Sequence, residues 1–153
     1  MEQILSNIIF VPLLIALILG LSRASLRWIR LGAAASSLIV MTLVIIVILY
    51  FDPSGGMQYV RIAPWIQNYG ITYYIGVDAL SLVILALISL LMPILYAYIW
   101  KEERKGYWYN MMILQTGITG AVLALDMVLF YLFWETMLLP IFILIGRYGN
   151  GAF

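Results

Sequence analysis

LDMVLFYLFWETMLLPIFILIGRYG, residues 125–149, decides how the rest of the chain is read. It is long enough to cross a bilayer, and one carboxylate, Glu135, sits near its middle. An ionisable group at the centre of a membrane helix costs between ~2.5 and more than 10 kcal/mol, depending on the reference state. Such a group needs a partner, a water-filled cavity or a proton. Pro140 follows five residues later, removes one backbone donor and weakens the helix there. The pattern points to a buried, protonatable site beside a local helix irregularity.

The neighbours of Glu135 one turn away on a helix are Tyr131 and Leu139. Tyr131 can donate to the carboxylate, but no cation shares the face. Arg147, twelve positions on, lies ~18 Å along the axis. A cationic partner must come from elsewhere. In low dielectric an unpaired Glu135 takes up a proton, and a nearby cation drives the proton off. A group moved between those two states is a proton switch. The plainer alternative is a neutral structural acid, hydrogen-bonded to a neighbouring Tyr or Trp.

Composition sets the class. The 153 residues are 65% hydrophobic and 10% charged, with a mean hydropathy of +1.08, far from the soluble balance. A net charge of +1 gives no reason to expect nucleic acid. Cysteine and histidine are absent, which removes thiol chemistry, iron–sulfur ligation and imidazole metal sites together. The first apolar segment starts without a basic leader, so no cleaved signal peptide is expected. The expected class is an all-α membrane protein.

Five transmembrane helices are expected, over about 4–21, 31–51, 78–100, 107–125 and 127–147. The last two are divided by length: the nearly uncharged 106–146 would reach ~60 Å as one helix, twice the hydrocarbon thickness. Small residues from Gly32 to Ser37 allow close helix contact. Residues 52–77 read as an outer-side interfacial loop, either a hairpin or a short amphipathic segment. Trp65, Tyr69, Tyr73 and Tyr74 are expected in the headgroup layer. Seven of the eight basic residues, all but Arg61, fall after the first, third and fifth spans. The positive-inside rule then places the N-terminus outside and the C-terminus on the cytoplasmic or matrix side.

Asp78 and Asp126 lie at the outer ends of the third and fifth spans, where capping outweighs direct participation in transport. Pro12 and Pro93, like Pro140, read as kinks within spans. Gln115, Thr116 and Thr119 are expected to bond across helices. Glu2, Glu102 and Glu103 read as surface charges.

GVDALSL at 76–82, followed by a charged loop and then FYLFWE, LLP and IG within 130–146, resembles the antiporter-like membrane subunits of respiratory complex I. Within them it resembles the chain 4 (subunit M) family of NADH:quinone oxidoreductase. The resemblance covers nearly the whole chain but only about the first third of the family, whose members have about fourteen spans with inverted repeats. It implies a single transmembrane domain over 1–153, forming the N-terminal portion of a larger subunit. It implies that Glu135 pairs with a lysine on a later broken helix, coupling quinone reduction to proton translocation. Tyr131, Pro140, Asp78 and Asp126 would support the path. Quinone, NADH, FMN and iron–sulfur clusters would sit elsewhere in the complex, with no cofactor on this chain. Its partners would be other membrane-arm subunits, including neighbouring antiporter-like ones, and lipid. The expected location is a bacterial plasma membrane, with thylakoid or mitochondrial inner membranes as alternatives.

Two departures from the family pattern stand out. Ala79 replaces the common glycine of GVDGLS, and the chain ends at Phe153 before the broken helix and its lysine. The chain is therefore expected to be one part of a longer or split subunit. Three other classes remain: a subunit of a multi-subunit cation/proton antiporter, a structural or assembly membrane protein, and, least supported, a membrane enzyme with its own site.

Overall fold

The computed structural model describes residues 3–66, 68 and 70–149. The expectations for Glu2 and Tyr69 lie outside these residues. The described elements are α1 (Ile4–Leu21), α2 (Leu26–Leu49), β1 (Gln58–Ile66), β2 (Ile71–Val77), α3 (Ala79–Tyr98), α4 (Lys105–Leu123) and α5 (Met127–Tyr148). The chain is therefore mostly helical rather than all-α. Four helices are long and apolar enough to cross a membrane: α1, α2, α3 and α5.

The expected fourth span is not among them. Lys105, Asn110, Gln115, Thr116 and Thr119 dilute α4, and the last three are fully or almost fully buried. The reason is position. α4 packs against each of the other helices, so protein rather than lipid surrounds its polar middle. Helix α2 starts at Leu26, five residues before the expected boundary. Arg27 and Arg30 do not end it, because long basic side chains reach away from an apolar helix to polar partners. Arg30 Nη2 donates to the Glu102 carbonyl at 2.8 Å.

Residues 52–77 form an antiparallel ribbon. Asp52 folds back the entering chain by accepting from the Ser54 N–H at 2.9 Å and hydroxyl at 2.7 Å. Gly70, at φ 66°, turns β1 into β2, a backbone angle that costs glycine nothing. Ile62 faces Tyr74, Ala63 faces Tyr73 and Pro64 faces Thr72. Pro64 is tolerated because both strands of a two-stranded ribbon are edges.

A lone ribbon is marginal in water, and this one is fastened to the helices. Ile75 bridges Ala124, and the Leu125 N–H donates to the Tyr74 carbonyl at 2.8 Å. The Tyr73 hydroxyl lies 3.0 Å from Ser6 Oγ, which also accepts from Arg61 Nη1 at 3.2 Å. Burial in this cluster raises the Tyr73 pKa.

The ribbon covers the end where α3 and α5 begin. Asp78 and Ser81 form a reciprocal capping box on α3, and these bonds hold the Asp78 carboxyl below its ordinary range. Asp126 Oδ1 accepts from the N–H groups of Val128 and Leu129 at 2.9 and 3.0 Å. Thr72 Oγ1 donates to its other oxygen at 3.4 Å. Asp126→Ala removes the cap and the tie to the ribbon together, and should cost about 1 kcal/mol, read as a lower thermal midpoint in detergent.

The helices run alternately up and down, which gathers the seven other basic residues at the end opposite the ribbon. There Arg104 Nε and Nη2 grip both oxygens of Glu102 at 2.7 and 2.8 Å. Lys105 Nζ donates to the Ala24 carbonyl at 2.8 Å. The Arg104 side chain holds the Glu102 carboxyl down at about 2. Stability from this depressed acid is present above the ordinary carboxylate range and is lost as pH falls toward 2. Arg104 is exposed, so solvent screening keeps this contribution small. Glu102→Gln should flatten this part of the acid stability curve, measured as thermal midpoint against pH.

Two buried clusters stack along the bundle. At the ribbon end, Leu5, Ile8, Val44, Ile75, Leu85 and Phe133 pack together. At the basic end the core is Ile29, Ala33, Met92, Tyr96, Trp108 and Met112. Tyr96 and Trp108 stack there with centroids 5.9 Å apart.

Candidate functional site on the fifth helix

Helix α5 shows α4 a narrow buried face of Leu129, Phe133 and Pro140. These positions recur at helical spacing and define one stripe. The contact is close because α4 offers glycines. A Cβ at Gly117 would lie 2.7 Å from the Met137 backbone nitrogen. One at Gly120 would collide with the Phe133 ring.

Helix α5 runs through Pro140 without a break. Proline has no N–H, so the Thr136 carbonyl, its partner one turn back, receives no helical hydrogen bond. The Thr136 hydroxyl donates to the Leu132 carbonyl at 2.8 Å. The missing donor at Pro140 therefore leaves a backbone carbonyl next to Glu135 without a helical partner, and the helix does not end there.

Glu135 itself lies on the outer face of α5, exposed on the surface of this chain. The described residues alone do not bury the acid. Large apolar side chains surround it, with Leu139 63% and Phe142 78% exposed. Tyr131, one turn before it and also exposed, is the polar neighbour of the carboxylate. Among the described residues the one ion pair is Glu102–Arg104, so no cation of these residues pairs with Glu135. Asp78 and Asp126 stand apart from it at the ribbon end, each occupied by backbone N–H groups. Glu135 is nine positions beyond Asp126, ~14 Å along the axis.

Sequence reasoning did not foresee a cleft of about 540 Å³ between α1, the ribbon and α5. Phe10, Tyr73, Leu132, Phe133, Thr116 and Thr136 help to line it. No periodicity signals it, because its walls come from five separate elements. Of α4, Thr116 reaches its lining. Gln115 accepts from the Tyr96 hydroxyl at 3.3 Å, a bond across helices. Thr119 instead donates to carbonyls of its own helix. Gln115 Nε2 and Thr116 Oγ1 are buried without a hydrogen-bond partner among the described residues. No group of three or more His, Cys, Asp or Glu is placed to hold a metal among the described residues.

Comparison with known proteins bears directly on this helix. The chain is 37% identical to NADH-quinone oxidoreductase subunit M of Rhodobacter capsulatus, over 98% of its own length and 30% of the relative's. The chain is a homologue of subunit M. Chain 4 of the NADH-ubiquinone oxidoreductase of Arabidopsis thaliana is 32% identical, over 95% of this chain and 30% of that one. Subunit M of the F(420)H(2) dehydrogenase of Methanosarcina mazei is 29% identical, over 98% of this chain and 31% of that one. No protein-family model matches. This homologue thus spans about three tenths of the length of the curated relatives it matches. With its apolar helices, the relationship makes it an integral membrane protein and bears out the resemblance read from residues 76–82 and 130–146.

Proposed function

We propose that this chain is part of the membrane arm of an oxidoreductase that passes electrons from NADH, or a related donor, to quinone. In this reading it contributes Glu135 to proton translocation. The observation that carries the proposal is one acid in the middle of an apolar helix face that the described residues leave open, within a homologue of subunit M. Leaving that face to lipid would place a carboxylate in hydrocarbon, at a cost of several kcal/mol. A further helix of the subunit, bearing a lysine, relieves this cost. With the lysine close, Glu135 is ionised; with the lysine withdrawn, low dielectric favours the protonated acid. Redox chemistry elsewhere in the complex moves that equilibrium, and Glu135 takes up and releases a proton.

In this proposal all five helices cross the membrane, α4 included, because surrounding protein covers its polar residues. The basic end faces the cytoplasm or matrix and the ribbon lies on the outer surface. The membrane is a bacterial plasma membrane, with thylakoid or mitochondrial inner membranes as alternatives. Neighbouring membrane-arm subunits are the partners. NADH, FMN, iron–sulfur clusters and quinone belong to other subunits, since a chain without cysteine or histidine offers no cluster ligands.

Affinity purification of the chain from its native membrane tests this. Recovery with a peripheral arm that reduces quinone is the expected result. Recovery with a cation/proton exchanger lacking quinone reductase activity would assign it to that antiporter class instead.

A further inference from the structure

At the basic end, the last turn of α3, the start of α4 and the last turn of α5 enclose a cleft of about 400 Å³. Tyr98, Lys101, Glu102, Arg104, Tyr107 and Tyr148 line it. We propose that this cleft seats the phosphate of one anionic phospholipid, with an acyl chain lying along the exposed apolar face of α3.

Charge is the first support. Among the described residues, this end of the bundle carries seven basic side chains against the two acids Glu102 and Glu103, leaving five positive charges. Glu102 does not oppose a phosphate freely, because both its oxygens are already taken by Arg104. That grip also fixes the Arg104 guanidinium 4.7 Å above the Tyr148 ring. Two of its five N–H donors serve Glu102, and its side chain remains 52% exposed. A preorganised guanidinium with free donors suits phosphate better than a mobile one. Lys101 is exposed on the cleft wall and supplies a second cation. Basic pockets between membrane helices at this level take lipid headgroups.

The surroundings select a lipid over free phosphate. Tyr98, on the cleft wall, is 87% exposed. Leu91, Ile94 and Leu95 precede it on the same side of α3, 44%, 56% and 40% exposed. Residues spaced by three and four share a helix face, so an apolar track leads straight from the phosphate seat. A free anion has no use for that track. The proposal requires only that this end lie at the membrane surface, not that Glu135 carry protons.

Native mass spectrometry of the detergent-solubilised assembly containing this chain tests the assignment. Phosphatidylglycerol, phosphatidylcholine and inorganic phosphate are added separately. The expected result is one phosphatidylglycerol retained in preference to phosphatidylcholine and not displaced by millimolar phosphate. Lys101→Ala should weaken retention roughly fivefold, the effect of losing one lysine near an anionic group. Tyr98→Ala should weaken it through the acyl track. Both side chains are exposed, and an unchanged thermal midpoint without lipid verifies the fold. Equal retention of the two lipids, retention unaffected by both variants, or displacement by phosphate would each overturn the proposal.

Discussion

Replacing Glu135 by glutamine is expected to abolish proton translocation coupled to quinone reduction while leaving the assembly intact. Glutamine keeps the shape and can still accept from Tyr131, but it cannot gain or lose a proton at any working pH. The described chain spends nothing on holding the carboxylate, since Glu135 is exposed and lies outside the one ion pair among the described residues. Folding of the five helices should therefore be indifferent to the change. Loss of a proton-transferring side chain lowers rate by on the order of a hundredfold or more. The measurement is proton uptake per quinone reduced in sealed vesicles, with native electrophoresis to establish assembly. Undiminished pumping in an intact complex would leave Glu135 as a structural acid and remove the proposed function's central residue.

What could be read from the sequence was whatever one helix or one turn encodes. The bounds of α1 came out as expected, because an apolar run between polar ends leaves little freedom. Helix α5 came out within a residue of its expected end, for the same reason. Helix α2 began early because arginines on a first turn look like a loop in a list of charges, yet reach a distant carbonyl in space. The ribbon was half legible. Residues 52–77 read as a hairpin or a short amphipathic segment, whereas the Arg61–Ser6–Tyr73 cluster joins residues 55 and 67 positions apart. No local pattern encodes such a pairing.

Glu135 is the more instructive case. The sequence places Glu135 near the middle of an apolar helix, but burial depends on what covers the helix. Among the described residues, α4, the ribbon and α1 cover α5 around Phe133, and Glu135 lies off that face. An acid read as buried is thus open here, and the one basic residue of α5, Arg147, stands twelve positions from Glu135, in agreement with the absence of an ion pair to Glu135 among the described residues. The small-residue segment from Gly32 to Ser37 shows a similar division. Gly32 does press against α1, where a Cβ would come within 2.5 Å of Leu19 Cδ1. Ser36 and Ser37 turn back to carbonyls of their own helix. The tightest approach to another helix's backbone lies instead at Gly117, against Met137 of α5.

Gly117→Leu should separate α4 from α5 and disable the site without touching Glu135. The expected clash is with backbone: the new Cβ would sit 2.7 Å from Met137 N and 2.9 Å from Met137 Cα. A side-chain tip can rotate away, but a helix backbone must move as a body. Overpacking of this kind costs roughly 1–3 kcal/mol. Met137 is two residues from Glu135, so the same displacement carries the carboxylate away from any partner helix. The prediction has two parts that separate packing from chemistry. The thermal midpoint of the assembly should fall and proton translocation should fail together, whereas Glu135→Gln should remove translocation alone. Gly117→Ala tests the gradation, since it adds only the clashing Cβ and should show a smaller loss of both. A leucine at 117 that leaves stability and pumping unchanged would mean that α4 and α5 do not meet at this glycine in the working complex.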